Sequence, residues 1–278
     1  MGEKEIYDMF KTYYDEDDNA DMDLSKRSWV SPAVEFIDDN CAGRAVTSLE
    51  WSLKHQELLL AAYSKSDDFN LNQSNGLIQL WSLAMRKTPE FSFSCQTEIT
   101  SAIFHKFIPK LVVGATYTGQ ILIWDTRGKP LPVQKTPPGG KFHSHPIYCL
   151  GVTGTTNANN IISISNDGVL CTWSMSNLSK PTKRIELKVK KRKQGEVMMD
   201  SKIDRNYTEE IGAICLATQE NETNNIFLGA DDSDIYQIYV HQSNDNVDNV
   251  VETYRKHTGP IHSLDVHPGD FHKSSNVD

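Results

Sequence analysis

The stretch Thr118-Gly119-Gln120-Ile121-Leu122-Ile123-Trp124 decides the fold, because its pattern returns along the chain. A turn residue is followed six positions later by an aromatic residue, and an apolar, strand-like run lies between them. The pattern occurs four times, as Asn75 to Trp81, Thr118 to Trp124, Asp167 to Trp173 and Ser233 to Tyr239. In three cases a glycine follows the turn residue, where a tight hairpin needs a positive φ, and Asp234 holds this place in the fourth. Each stretch is predicted to be the third strand of a repeating unit.

An apolar triplet with spacings of three and then two residues opens each unit. The triplets are Val46/Leu49/Trp51, Ile99/Ala102/Phe104, Ile147/Leu150/Val152, Ile211/Ile214/Leu216 and Ile261/Leu264/Val266. They start 53, 48, 64 and 50 residues apart, which is typical of a unit of four short strands. One such unit cannot bury both faces of its sheet alone. We therefore predict an all-β fold in which four-stranded sheets repeat radially as the blades of a β-propeller.

The boundaries of the units follow from these marks. Residues 1–40 are predicted to be an acidic polar tail, mostly disordered, and residues 41–278 to hold the propeller portion. The units are placed at about 44–95, 96–143, 144–182 and 209–243, with a fifth starting at 259 and a basic loop insertion at 183–208. The fifth unit lacks the length for three more strands. We therefore expect four blades plus the start of a fifth, and a chain that is a fragment of a longer protein.

Composition indicates a protein that can bury a large core and that does not bind nucleic acid in general. Hydrophobic residues make up 38% of the chain, and no window approaches the roughly 18 apolar residues of a membrane span. The net charge is −9, which argues against a general affinity for nucleic acid. The five cysteines are odd in number and scattered, which indicates a reduced intracellular compartment.

Two charged segments allow more than one interpretation. An acidic run, Asp15-Glu16-Asp17-Asp18, lies in the tail, and basic residues cluster in the insertion as Lys188, Lys190, Lys191, Arg192 and Lys193. Because neither segment shows apolar periodicity, we favour solvated, mobile segments. The alternatives are an acidic docking segment and a basic tract of the nuclear-import kind.

The sequence predicts no catalytic, metal or cofactor-binding residues. His143 and His145 are two residues apart, but no third ligand follows at the spacing of a zinc site. Gly139-Gly140-Lys141 lacks the remainder of a phosphate-binding loop, because Phe142 follows the lysine. The chain also contains no G-x-S-x-G nucleophile motif. An enzyme is therefore not expected.

Several short motifs resemble the WD40 repeat family. Trp124-Asp125 closes a third strand, and both His145-Pro146-Ile147 and His257-Thr258-Gly259-Pro260-Ile261 are similar to the family's lead-in to a first strand. The resemblance implies a buried hydrogen-bonded tetrad in the third unit, formed by His145, Ser163 or Ser165, Asp167 and Trp173. We also assign Trp81, Trp124 and Trp173 to the core between blades, because their spacing follows the repeat.

Longer stretches resemble the WD40 domain of cytoplasmic dynein intermediate chains. They are Arg44-Ala45-Val46-Thr47-Ser48-Leu49-Glu50-Trp51-Ser52, Leu111-Val112-Val113-Gly114-Ala115-Thr116-Tyr117-Thr118-Gly119-Gln120-Ile121, Pro132-Val133-Gln134-Lys135-Thr136-Pro137 and His143-Ser144-His145-Pro146-Ile147-Tyr148-Cys149. The similarity is strong over residues 28–182 and weak over 209–267. These stretches are long, nearly contiguous and not general to WD40 repeats.

The resemblance implies a non-catalytic subunit of a microtubule motor, located in the cytoplasm on microtubules. Its propeller is then expected to dock on the dynein heavy chain. In the family an extended N-terminal region binds dynein light chains and dynactin, and this chain carries only about forty residues before the propeller. The alternative is a WD40 scaffold of another assembly, such as an RNA-processing complex, contacted through Lys188 and its basic neighbours.

Partner binding is expected at the loop-rich rims of a propeller, where a few aromatic or arginine side chains supply most of the energy. Candidate partner contacts near the predicted loops and strand ends are Tyr117, Arg127, Phe142 and Tyr148. Each of these side chains is equally compatible with local packing.

Overall fold

Four antiparallel sheets of four strands each and one two-stranded sheet make up the β-structure of the described part of the chain. The computed structural model describes residues 33–66, 74–138, 142–191, 207–219, 223–240 and 249–266. The chain divides into two units, Met1–Glu35 and Phe36–Asp278, and all strands named below belong to the second. The predicted disordered tail lies mostly outside the described residues, as does the acidic run at its centre.

Strands follow one another in sequence order within each sheet. The first sheet contains β1 (Val46–Trp51), β2 (Leu58–Tyr63), β3 (Gly76–Ser82) and β4 (Phe91–Cys95). The second contains β5 (Ile99–Phe104), β6 (Leu111–Thr116), β7 (Ile121–Asp125) and β8 (Gln134–Lys135). The third contains β9 (Ile147–Gly154), β10 (Asn159–Ser165), β11 (Val169–Ser174) and β12 (Lys183–Glu186). A hairpin of β13 (Lys188–Lys191) and β14 (Tyr207–Glu210) precedes the fourth sheet, β15 (Ala213–Thr218), β16 (Asn225–Ala230), β17 (Asp234–Tyr239) and β18 (Val250–Arg255).

Each sheet packs on the next through apolar side chains, and the first strands of successive sheets are neighbours. Trp124 lies in the core between the first and second sheets, and Trp173 lies in the core between the second and third. Trp81 occupies the corresponding face of the first sheet, where Phe36 and Cys41 pack against the same cluster. The three tryptophan side chains are at most 1% exposed. The prediction of an all-β, partial WD40 propeller is confirmed.

The prediction that residues 183–208 form a loop is wrong in the part that the structure describes. β12 pairs with β11 as the fourth strand of the third sheet, and β13 pairs with β14. Ile185, Leu187 and Val189 alternate with charged residues, and their side chains are at most 8% exposed. This alternation is the period of a strand, and the many basic residues on its other face concealed it. Residues 192–206, with Arg192 and Lys193, lie outside the described residues.

The fourth unit is longer than predicted and its repeat is offset by one residue. β18 extends it to Arg255, beyond the expected boundary at 243. Ser233, rather than Asp234, adopts a positive φ of 74°, and the corresponding residues of the second and third sheets are Gly119 with 78° and Gly168 with 74°. Counted from these three residues, the fifth following position is Trp124, Trp173 and Ile238, all of them buried. Tyr239, expected to match the tryptophans, is only half-buried.

Two further expectations differ from the structure. Gly76 does not have a positive φ, because a long connection rather than a tight turn precedes β3, which begins at this glycine. A Cβ atom here would approach the carbonyl oxygen of Thr97 to 2.2 Å, so close packing accounts for the glycine. Residues 261–266 form no strand, because no second strand pairs with them in the described part of the chain. Ile261 nevertheless packs over Gly229 of the fourth sheet.

Candidate functional site

A buried hydrogen-bond network joins the segment before β9 to strands β10 and β11. Trp173 Nε1 donates to Ser163 Oγ at 2.7 Å, and Ser163 Oγ lies 2.7 Å from His143 Nε2. His143 Nδ1 lies 2.8 Å from Ser165 Oγ, which donates to the carboxylate of Asp167. Burial lowers the pKa of His143 to about 4, so the imidazole is neutral near pH 7.

The network also fixes which nitrogen of His143 holds the proton. Ser165 Oγ donates its only proton to the carboxylate of Asp167, so towards His143 it can only accept, and His143 holds its proton on Nδ1. The unprotonated Nε2 of the neutral ring then accepts the hydroxyl proton of Ser163, whose oxygen accepts from Trp173 Nε1. Every polar atom of the imidazole is engaged, so this network is a structural element with no free group for chemistry.

The assignment of His145 to the tetrad is wrong. The side chain of His145 is 57% exposed, and its Nδ1 lies 3.1 Å from the outer oxygen of Asp167. Burial opposes ionisation of Asp167, but hydrogen bonds from Ser165, the Val169 N–H and His145 together hold its pKa below the ordinary value. The motif His-Pro-Ile suggested His145. No sequence signal distinguished His143, whose neighbour Phe142 meets the ring of Trp173 edge-on with the ring centroids 5.6 Å apart.

The other predicted core residues have different surroundings. Trp81 Nε1 donates to the Tyr63 hydroxyl at 3.2 Å, whereas Trp124 Nε1 has no hydrogen-bond acceptor in the described part of the chain. Asp125 lies outside the core and forms a two-point ion pair with Arg127, with N–O distances of 3.0 and 2.7 Å. Hydrogen bonds from Arg127 lower the pKa of Asp125 to about 2.

The four candidate partner contacts are not brought together. Tyr117 is 56% exposed in the turn after β6, and Arg127 is exposed after β7, which runs in the opposite direction. These two residues therefore lie at opposite ends of the second sheet. Tyr148 is 39% exposed on β9. Phe142 packs against Trp173 and is largely committed to local packing.

A side-chain clasp between β1 and β5 was missed by the sequence analysis. Ser48 Oγ donates to the carbonyl of Ala102 at 2.9 Å, and Glu50 accepts the backbone N–H of Phe104 at 2.5 Å. Burial raises the pKa of Glu50 to about 7, against the opposing effect of that hydrogen bond. Such contacts join residues 54 positions apart, so no local pattern could indicate them.

Acidic residues surround the start of the basic insertion. Glu186 forms ion pairs at 2.9 Å with both Arg184 and Lys188. In the hairpin, Lys188 lies opposite Glu210 and Val189 lies opposite Glu209. This local neutralisation does not favour a nucleic-acid contact through Lys188. Within the described residues no cluster of three or more His, Cys, Asp or Glu side chains is suited to a metal ion.

All five cysteines are unpaired thiols. In the ranges that the structure describes, no helix has the length and apolar character needed to span a membrane.

The repeated four-stranded sheets and the tryptophans buried between them define a protein of the WD40 propeller class. No family model matches the chain. A cytoplasmic dynein 1 intermediate chain of Drosophila melanogaster is 36% identical to it over 235 residues, which cover 84% of this chain and 32% of that relative. The chain belongs to the cytoplasmic dynein intermediate chain family, and it spans about a third of the length of this relative.

Proposed function

We propose that the chain is a non-catalytic subunit of the cytoplasmic dynein motor complex. In this proposal its propeller sheets dock on the dynein heavy chain and support microtubule-based transport. The observation that carries the proposal is the 36% identity to a cytoplasmic dynein 1 intermediate chain over 84% of this chain. The matched length of 235 residues is too long to leave out the sheets.

The polar networks of the structure support a role without catalysis. His143 is buried, neutral near pH 7 and hydrogen-bonded through both nitrogens. Burial raises the pKa of the Cys149 and Cys171 thiols, which keeps both sulfurs protonated and unreactive near pH 7. A subunit of this kind acts through binding surfaces, which a rigid stack of sheets holds in fixed positions.

The same proposal gives the location and the further partners. As a dynein subunit the chain would be found in the cytoplasm, associated with microtubules. Dynein light chains and dynactin would belong to the same assembly through a region on the N-terminal side of the propeller. We propose no membrane and no nucleic acid as partners, and the ion pairs of Glu186 with Arg184 and Lys188 weigh against the RNA-processing alternative.

Affinity purification of the tagged protein from the cells that express it tests the proposal. We expect mass spectrometry to recover dynein heavy chain together with light chains. A variant with Trp173→Ala, which removes a core side chain of the sheets, should lose the heavy chain. An intact, folded wild-type protein that recovers no heavy chain would contradict the proposal.

A further inference from the structure

Four turns of the first two sheets lie at the same end of these sheets. β1 and β5 run side by side in the same direction, because Ser48 contacts Ala102 and Glu50 contacts Phe104 at a constant offset of 54 residues. The turns that follow these strands therefore lie at the same end of their sheets. We define the turn rim as residues 52–57, 83–90 and 105–110, which follow β1, β3 and β5, together with residues 125–129, which begin at the last residue of β7.

Four large apolar side chains of the turn rim are exposed to solvent. Leu53 is 72% exposed, Met85 is 49% exposed, Leu83 is 40% exposed and Ile108 is 37% exposed. None of these four belongs to a hydrophobic core cluster of the described residues. Single exposed apolar residues need no explanation, but four of them in adjoining turns mark a surface that gains from being covered.

The charge of the turn rim is opposite to that of the chain. Seven basic residues lie on the rim: Lys54, Arg86, Lys87, Lys106, Lys110, Arg127 and Lys129. Only three acidic residues, Glu57, Glu90 and Asp125, lie beside them, and Asp125 is paired with Arg127. The whole chain carries a net charge of −9, so this concentration of positive charge is local. It creates a potential that attracts acidic partners.

Backbone hydrogen bonds hold the turns of the rim in place. The Leu83 N–H donates to the carbonyl of Glu57 at 2.9 Å and joins the two turns of the first sheet. In the second sheet the Thr126 N–H donates to the carbonyl of Lys110 at 2.9 Å. The buried ring of His105 accepts the N–H of Ile108 at 3.0 Å through Nδ1. A surface ordered before binding loses little conformational entropy when a partner docks.

We propose that the turn rim docks an acidic, amphipathic segment of a partner polypeptide, with Leu53, Leu83, Met85 and Ile108 covering its apolar face. The basic residues around them then pair with its carboxylates. A protein partner is favoured over RNA, because the four exposed aliphatic side chains match the apolar face of an amphipathic polypeptide, and RNA has no such face. The proposal rests on the proposed function only where the partner is the dynein heavy chain.

Direct binding tests the rim without any assumption about the motor. The probes are a fluorescent amphipathic peptide with leucines on one face and glutamates elsewhere, the same peptide with lysines for glutamates, and a fluorescent oligouridine. We expect the purified chain to bind only the acidic peptide, and Met85→Glu or the pair Arg86→Glu and Lys87→Glu to weaken binding at least about tenfold. Val251→Glu on β18 and Lys135→Glu on β8, which add acidic side chains at exposed positions outside the rim, should leave binding unchanged.

Three outcomes would overturn the proposal: no binding of the acidic peptide by the wild-type chain, equal binding by rim and control variants, or binding of oligouridine that the rim variants abolish. Recovery of heavy chain from cells separates this proposal from the proposed function. If the wild-type chain and the rim variants recover heavy chain equally, the rim is not the docking surface and the motor assignment stands. If the wild-type chain recovers none, the motor assignment fails and the peptide measurement still decides on the rim.

Discussion

The carboxylate of Glu50 in β1 accepts the backbone N–H of Phe104 in β5 at 2.5 Å. β5 is the edge strand of the second sheet, and its only neighbour in that sheet is β6. An N–H on the outer edge of β5 therefore has no acceptor within its own sheet. A side chain of the first sheet supplies the acceptor. This hydrogen bond joins the two sheets in addition to their apolar packing. The acceptor is an ionisable group.

Stability should depend on pH through Glu50. Burial raises its pKa from 4.5 to about 7, so the folded state holds the proton more tightly than the unfolded chain. This contribution is complete below pH 4.5 and is lost as the pH rises through about 7. We expect Glu50→Gln to remove roughly 2 kcal/mol of pH-dependent unfolding free energy between these limits, a figure reduced for partial solvent contact. Denaturant unfolding at a series of pH values measures it.

Glu57→Gln is the control for Glu50→Gln, because the side chain of Glu57 is 55% exposed on the neighbouring turn. Its pH profile should match that of the wild-type chain. Identical profiles for all three proteins would show that Glu50 is not the group responsible.

His143 should contribute stability with the opposite dependence on pH. Its pKa is lowered by burial from 6.5 to about 4, so the folded state binds the proton less readily than the unfolded chain. The contribution is complete above pH 6.5 and is lost as the pH falls towards 4. We expect His143→Ala to cost about 3 kcal/mol at neutral pH, because it removes two buried hydrogen bonds and leaves a cavity beside Trp173. His145→Ala should cost less than about 1 kcal/mol, since its contact with Asp167 is exposed. Equal costs for the two variants would restore His145 to the tetrad.

Gly114 should not tolerate a side chain. A Cβ atom there would lie 2.8 Å from the ring of Trp124, which is buried between the first and second sheets. We expect Gly114→Ala to lower the unfolding free energy by about 1–3 kcal/mol through overpacking. At Gly128 the nearest atom to an added Cβ lies at 3.4 Å, an ordinary contact. Thermal unfolding of Gly114→Ala and Gly128→Ala should therefore differ, and a Gly114→Ala protein as stable as the wild-type chain would show that Trp124 packs loosely.

The sequence indicates most of the strands because their signals are local. A turn residue followed by five or six positions of apolar alternation is visible in Thr118 to Trp124 without knowledge of the fold. β12 and β13 were not predicted from the sequence. In these strands only Ile185, Leu187 and Val189 show the apolar alternation, and the charged residues around them suggested a loop. Local patterns also fail to separate His143 from His145, since the choice is made by the distance to Ser163 and Ser165.

Features that depend on contacts between sheets could not be predicted. The clasp of Glu50 on Phe104 arises from two strands that become neighbours only in the folded chain. The turn rim likewise combines four short turns, none of which is distinctive alone. Burial, charge and direction of the strands bring these residues together.

The central claim is that apolar packing of the sheets buries Trp81, Trp124 and Trp173, of which Trp124 and Trp173 lie between successive sheets and Trp81 lies under Phe36 and Cys41. Fluorescence of a variant with Trp29→Phe and Trp51→Phe, which retains only these three tryptophans, tests it most directly. The account predicts blue-shifted emission and weak quenching by acrylamide in the native protein, with both changing cooperatively on unfolding. Red-shifted emission and full quenching in the folded protein would contradict it.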